Sequence, residues 1–163
     1  LPYILFFLLV ISELSDFLDG YLARKHNLVT ELGKILDPMA DSITRLTILL
    51  TFTQGFVCLP LFLVFIFIYR DTMISTLRTL CALKGVALAA RTSGKIKAVI
   101  QGISIFSIII LMIPYASGNL SITQLQTISF YVILASALYT LFSGAEYIYT
   151  NRLYIKQAWK KSH

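Results

Sequence analysis

Four aspartates, Asp16, Asp19, Asp37 and Asp41, fall within or at the ends of long apolar stretches. An ionised carboxylate is costly there and marks a functional site by default. Asp16 and Asp19 are three positions apart, and Asp37 and Asp41 four, so on helices each pair shares one face. Counted from Pro2 and Gly55, Asp16 and Asp41 are each fourteen residues deep, roughly 21 Å along a helix. Asp19 and Asp37 come one turn further on. Two antiparallel helices therefore bring four carboxylates to matching depths. Four like charges in one pocket need protons or cations to neutralise them. Oxygen-only ligands favour Mg2+ or Mn2+, and Mg2+ keeps positions open for substrate phosphates. The competing reading pairs the carboxylates with Arg24, Lys34 and Arg45, which suits a single aspartate better than four at one depth.

The elements that must position these groups are membrane helices. The 163 residues are 57% hydrophobic and 13% charged, with a mean hydropathy of +0.78, whereas a soluble domain carries about 25% charged residues. Five apolar segments can be marked, Pro2 to about Asp19, about Pro38 to Cys58, Pro60 to about Leu80, Ile96 to Ile113, and Thr123 to about Tyr149. Each approaches the ~20 residues of a spanning helix, and none shows the alternation of a barrel strand. The expected fold is all-α, a polytopic membrane helical bundle forming a single domain over residues 1–163. The connections after segments one, three and five hold basic residues, among them Arg24, Lys25, Lys84, Arg91, Arg152 and Lys156. Those around Gln54–Pro60 and Pro114–Gln124 hold no charge. The positive-inside rule puts the basic connections and the C-terminus in the cytoplasm. Leu1 then lies outside, so a further helix before it is expected.

The net charge of +6 suits this orientation and an anionic lipid surface, and no nucleic-acid partner is expected. Cys58 and Cys81 fall near opposite faces, which excludes a disulfide between them, and His26 is too little for a histidine-based zinc site. A metal transporter would carry carboxylates through the full membrane depth, but the outer half of the segments has none.

Small residues surround the carboxylates. Gly20 and Ala23 leave room beside Asp19, and Gly33 precedes the second pair. Pro38 is tolerated near a helix start or kinks a longer helix. The whole pattern, Asp16-x2-Asp19-Gly20-x2-Ala23-Arg24-x8-Gly33-x3-Asp37-x3-Asp41, resembles the defining motif of the CDP-alcohol phosphatidyltransferases. The resemblance implies a six-helix fold that dimerises, with about five helices in this sequence. It further implies a two-metal site in which Asp16, Asp19 and Asp37 hold Mg2+ or Mn2+ and Asp41 acts as base and as a further ligand. Gly20, Ala23, Arg24 and Gly33 would face the cytidine nucleotide. The implied reaction moves the phosphatidyl group of CDP-diacylglycerol to an alcohol and releases CMP.

The acceptor must be read from the basic residues. Arg70 lies about ten residues, roughly 15 Å, beyond Pro60 and is therefore intramembrane. Arg78 follows two turns later, and Lys95 and Lys97 open the fourth segment. Such a cluster suits an anionic acceptor, whereas snorkelling or pairing of Arg70 with Asp71 is the bland alternative. The Tyr69–Arg78 and Ser93–Lys97 stretches are similar to segments of bacterial phosphatidylglycerophosphate synthases. That likeness implies glycerol 3-phosphate as acceptor, gripped by Arg70, Arg78 and Lys95, in a bacterial inner membrane. Ser42 departs from it by standing where lysine is usual, so phosphatidylglycerol or an inositol phosphate stays open as the acceptor.

Overall fold

The computed structural model describes residues 2–25, 31–83, 85 and 91–160. The side chains of Asp16, Asp19, Gly20, Ala23, Arg24, Gly33 and Asp37, together with His26, lie outside what it describes. The described residues form five helices and no strand: α1 (Pro2–Lys25), α2 (Glu31–Thr51), α3 (Leu61–Leu83), α4 (Thr92–Ala116) and α5 (Ile122–Lys160). Each apolar segment has its helix, and the fold is the expected all-α bundle.

The ends differ from the apolar limits for local reasons. α2 starts at Glu31, so Pro38 lies inside it rather than at its start. It stops at Thr51, short of Cys58, because the chain turns through Gly55 (φ 70°) and Cys58 (φ 52°) while the Leu59 N–H donates to the Phe52 carbonyl at 2.9 Å. Asp41 is therefore ten residues, about 15 Å, from its helix end, nearer than a helix reaching Gly55 would put it. α4 runs through Pro114 to Ala116, and two residues on Gly118 (φ 79°) donates its N–H to the Tyr115 carbonyl, a left-handed stop that glycine adopts without strain. α5 opens with a capping box. The Gln124 N–H donates to Ser121 Oγ at 3.2 Å, and the Ser121 N–H donates to Gln124 Oε1 at 3.0 Å.

The two uncharged connections meet at one end of the bundle. Phe56 packs on Tyr115 with ring centroids 5.4 Å apart, and Gln126 Nε2 donates to the Phe56 carbonyl at 3.1 Å. Below them sits the apolar core, including Leu49, Leu63, Val64 and Phe67 from α2 and α3 with Ile105, Ile108, Leu125 and Ile133 from α4 and α5. Towards the basic end the same inward faces turn polar, with Lys97, Gln101 and Ser104 on α4 and Ser136, Thr140 and Ser143 on α5. Leu138, Phe142, Val99, Ile103 and Ile110 point outward. Apolar outside and small or polar inside is the pattern of helices packed in lipid.

α3 and α4 both pack on α5, α2 packs on α3 and α4, and α1 packs on α4. Helix α4 is thus the shared neighbour of the two aspartate-bearing helices. α4 and most of α5 are long and apolar enough to cross a membrane by length and composition alone. The other three, of 24, 21 and 23 residues, are long enough but carry the charged residues of the site. The 39 residues of α5 extend about 58 Å, well past a ~30 Å hydrocarbon layer, so its basic end projects beyond.

Candidate active site

Asp16 and Asp19 stand on α1 with Gly20, Ala23 and Arg24, and Gly33, Asp37 and Asp41 stand on α2. Of the four aspartates, Asp41 is the one whose side chain is described. Its carboxylate is 49% exposed, and Arg45 Nη2 lies 3.4 Å from Oδ2 one turn along the helix. A long, solvated contact of this kind contributes little, so Asp41 is not committed to a structural pair. Among the described residues no three histidine, cysteine or acidic side chains cluster as a metal site; the carboxylates of Asp16, Asp19 and Asp37 lie outside that set. The all-oxygen donors and the open carboxylate of Asp41 fit a hard divalent cation. Cys58 and Cys81 are both free, as their positions require.

Next to Asp41, Ser42 leads into a buried polar network. Its Oγ donates to Asp71 Oδ2 on α3 at 2.9 Å. Lys97 Nζ on α4 donates to both Asp71 oxygens, at 2.9 and 2.8 Å, and is 5% exposed. Arg70 Nη1 donates to Asp71 Oδ1 at 3.1 Å, and Arg70 Nη2 donates to Ser143 Oγ on α5 at 2.8 Å. Four helices are joined through one carboxylate and one guanidinium.

Arg70, 11% exposed, retains a buried Nε with no hydrogen-bond partner among the described residues. Two glycines make its channel. A Cβ on Gly144 would meet Arg70 Cγ at 3.1 Å, and one on Gly94 would meet Nη2 at 3.5 Å. Two turns along α3, Arg78 Nε donates to Tyr147 Oη at 3.2 Å, with the guanidinium carbon 5.4 Å from the ring centroid. Arg91 and Glu146 pair at 3.1 Å at the same end. Arg70 and Lys97 against Asp71, with Arg78 beside a neutral tyrosine, leave a positive excess in a low-dielectric site. Such an excess attracts anions.

The structure brings Arg70 and Arg78 together along the α3–α5 interface, whereas Lys95 is on the exposed side of the first turn of α4. The alternative pairing of Arg70 with Asp71 is present, but as one contact in this larger network. Asp71 and Lys97 were weighed in the sequence only as a possible partner and a helix-opening cation. A sign of their role was available: Lys97 starts the stripe continued by Gln101, Ser104 and Ile108 on the inward face of α4.

The sequence model of the family described as CDP-alcohol phosphatidyltransferase matches residues 2–148, a span that includes all four aspartates and the cationic network. The chain belongs to the CDP-alcohol phosphatidyltransferase family. It is similar to the CDP-diacylglycerol–glycerol-3-phosphate 3-phosphatidyltransferase of Bacillus subtilis, 33% identical over 144 residues covering 88% of this chain and 71% of the relative. The protein of the same name from Rickettsia bellii is 32% identical over 142 residues, covering 86% and 74%. A CMP-forming cardiolipin synthase of Streptomyces coelicolor is 41% identical over 66 residues, covering 40% and 30%. As a CDP-alcohol phosphatidyltransferase with long apolar helices, the chain is a membrane enzyme that transfers a phosphatidyl group.

The glycine channel gives this phosphatidyltransferase a checkable property. An added Cβ at Gly144 would lie 3.1 Å from Arg70 Cγ and push that side chain aside, so Gly144→Ala is expected to slow transfer several-fold by moving Arg70. Gly102→Ala, where nothing lies within 4 Å of an added Cβ, should transfer at the unmodified rate. Initial rates of the two variants side by side check this.

Proposed function

We propose that the chain transfers the phosphatidyl group of CDP-diacylglycerol to glycerol 3-phosphate, giving phosphatidylglycerophosphate and CMP, at the cytoplasmic face of a bacterial inner membrane. The observation that carries a phosphate-bearing acceptor is the Arg70 guanidinium, fixed at both terminal nitrogens with a buried Nε that has no partner among the described residues. A buried donor without an acceptor calls for a ligand oxygen, and guanidinium groups suit phosphate. The two relatives named for glycerol 3-phosphate, aligned over more than four-fifths of the chain, support the same acceptor. The orientation rests on the basic connections and the positive-inside rule.

In this reading Asp16, Asp19, Asp37 and Asp41 hold Mg2+ or Mn2+ as a two-metal site, and Gly20, Ala23, Arg24 and Gly33 line the nucleotide. The chemistry a divalent cation supplies there is neutralisation of the diphosphate and of the departing CMP. Arg70, with Arg78 and Lys95, binds the acceptor phosphate and orients its free hydroxyl. Asp41 takes the hydroxyl proton as the oxygen bonds to the phosphatidyl phosphorus and the bond to the CMP oxygen breaks. A reaction centre on the basic side of the apolar core would let lipid reach it sideways while acceptor and CMP exchange with the cytosol. The family resemblance supports a homodimer.

A second acceptor, phosphatidylglycerol, is favoured by the likeness to the Streptomyces cardiolipin synthase, although that likeness covers 40% of the chain. Purified protein with CDP-diacylglycerol and Mg2+ or Mn2+ separates the two. CMP release should rise on adding glycerol 3-phosphate and not on adding phosphatidylglycerol. The reverse response would replace the first acceptor by the second.

A further inference from the structure

Asp71 and Lys97 are assigned no part in the reaction so far, yet they form the most heavily hydrogen-bonded pair among the described side chains. Lys97 Nζ takes both carboxylate oxygens of Asp71, and with 5% exposure it faces protein rather than a ligand. Phe67 covers it from α3, the ammonium lying 5.8 Å from the ring centroid. Ser42 Oγ adds a further donor to Oδ2.

This saturation has a consequence for Arg70. A carboxylate beside a lone arginine draws the guanidinium into a two-bonded fork and uses up the donors that recognise phosphate. Here the oxygens are already occupied, and Arg70 touches Asp71 by Nη1 alone, at 3.1 Å. Ser143 holds Nη2 at 2.8 Å, and Gly144 packs closely enough on Arg70 Cγ that an added Cβ would lie 3.1 Å from it. The guanidinium plane is fixed while Nε stays unpartnered.

We propose that the Asp71–Lys97 pair is a positioning unit that aims Arg70 at the acceptor phosphate. Lys97 neutralises Asp71 so that the carboxylate orients Arg70 without capturing it. The proposal rests on the reading of Arg70 as the phosphate-binding residue. It further makes Asp71 and Lys97 determinants of acceptor affinity, not of CDP-diacylglycerol affinity.

Steady-state CMP release from the purified full chain in mixed micelles, with each substrate varied in turn, tests it. Lys97→Gln should raise the KM for glycerol 3-phosphate by about tenfold, because Asp71 then closes on Arg70, and should leave the KM for CDP-diacylglycerol within about twofold. Asp71→Asn should have the same selective effect, and Asp71→Glu should recover part of it. Because Asp71→Asn strands the buried Lys97 ammonium and Lys97→Gln leaves Asp71 to Arg70 alone, the Asp71→Asn/Lys97→Gln double variant is included. It should melt like the parent and still show the raised acceptor KM. A double variant with the parent's acceptor KM would reduce Asp71 and Lys97 to mutual counterions and overturn the proposal, as would equal rises in both KM values. Arg70→Lys separates the two levels. An unchanged acceptor KM there would remove Arg70 as the phosphate ligand, and the inference with it. A raised KM there together with a normal double variant would remove the inference alone.

Discussion

Asp41→Asn is expected to lower CMP release by roughly 10²–10⁴-fold, the range a positioned general base contributes. The substitution is nearly isosteric. The one described contact of Asp41 is the 3.4 Å approach of Arg45, and exposed pairs of this kind contribute about 0–1 kcal/mol. Folding should therefore be close to that of the parent, with a thermal midpoint within a few degrees. With Mg2+ or Mn2+ raised until the variant's metal site is saturated, the remaining loss should fall on kcat, because the removed group acts on the hydroxyl proton in the transition state. Turnover near the parent value, in protein that melts normally, would contradict the assignment of Asp41 as base.

Arg70→Lys should raise the KM for glycerol 3-phosphate by roughly 10- to 100-fold. Lysine keeps the charge but lacks the planar fork, and it cannot hold Asp71 and Ser143 while also reaching a phosphate. A hydrogen bond to a charged group is worth about 1.5–3 kcal/mol, and each 1.4 kcal/mol is a factor of ten in affinity. The KM for CDP-diacylglycerol should change little, since Arg70 sits in the α3–α5 interface and the residues proposed to line the nucleotide are on α1 and α2. Equal weakening of both substrates would point to a general loss of packing around Gly94 and Gly144 instead.

Much of the architecture was legible in the sequence because apolar runs near twenty residues leave few alternatives to helices in lipid. The limits of those helices were less legible. The chain leaves α2 at Thr51 and turns through Gly55 and a left-handed Cys58, a conformation that a non-glycine residue does not announce, so less helix follows Asp41 than a count from Gly55 gives. The start of α5 was written locally in Ser121 and Gln124, a capping box closing at 3.0 and 3.2 Å. The aspartate pattern was legible as spacing within α1 and α2. The partners of Asp71 were not, because Lys97 and Ser42 are 26 and 29 positions away and meet it only when α2, α3 and α4 pack. Local spacing identifies which residues share a helix face. It does not say which helix that face will meet, and so the burial of Lys97 against Asp71 is not legible from its place two positions after Lys95.

The charge balance of the network also explains why the acceptor is the sensitive part of the account. The aspartate motif alone would serve any alcohol. Discrimination has to come from the side chains that meet the acceptor's other end, and in the proposed reaction those are Arg70 and Arg78, held among glycines, serines and a tyrosine. A neutral acceptor would leave Arg70 Nε unpartnered after binding, a cost of about 1–3 kcal/mol for a buried polar group. A phosphate-bearing acceptor removes that cost.

The most direct measurement follows labelled glycerol 3-phosphate into lipid. Purified protein is incubated with CDP-diacylglycerol and Mg2+ or Mn2+, and the label in the organic phase is compared with CMP in the aqueous phase. One mole of label should enter phosphatidylglycerophosphate for each mole of CMP released, and omission of glycerol 3-phosphate should abolish both. CMP release without incorporation of the label, or incorporation only of phosphatidylglycerol into cardiolipin, would contradict the proposed reaction.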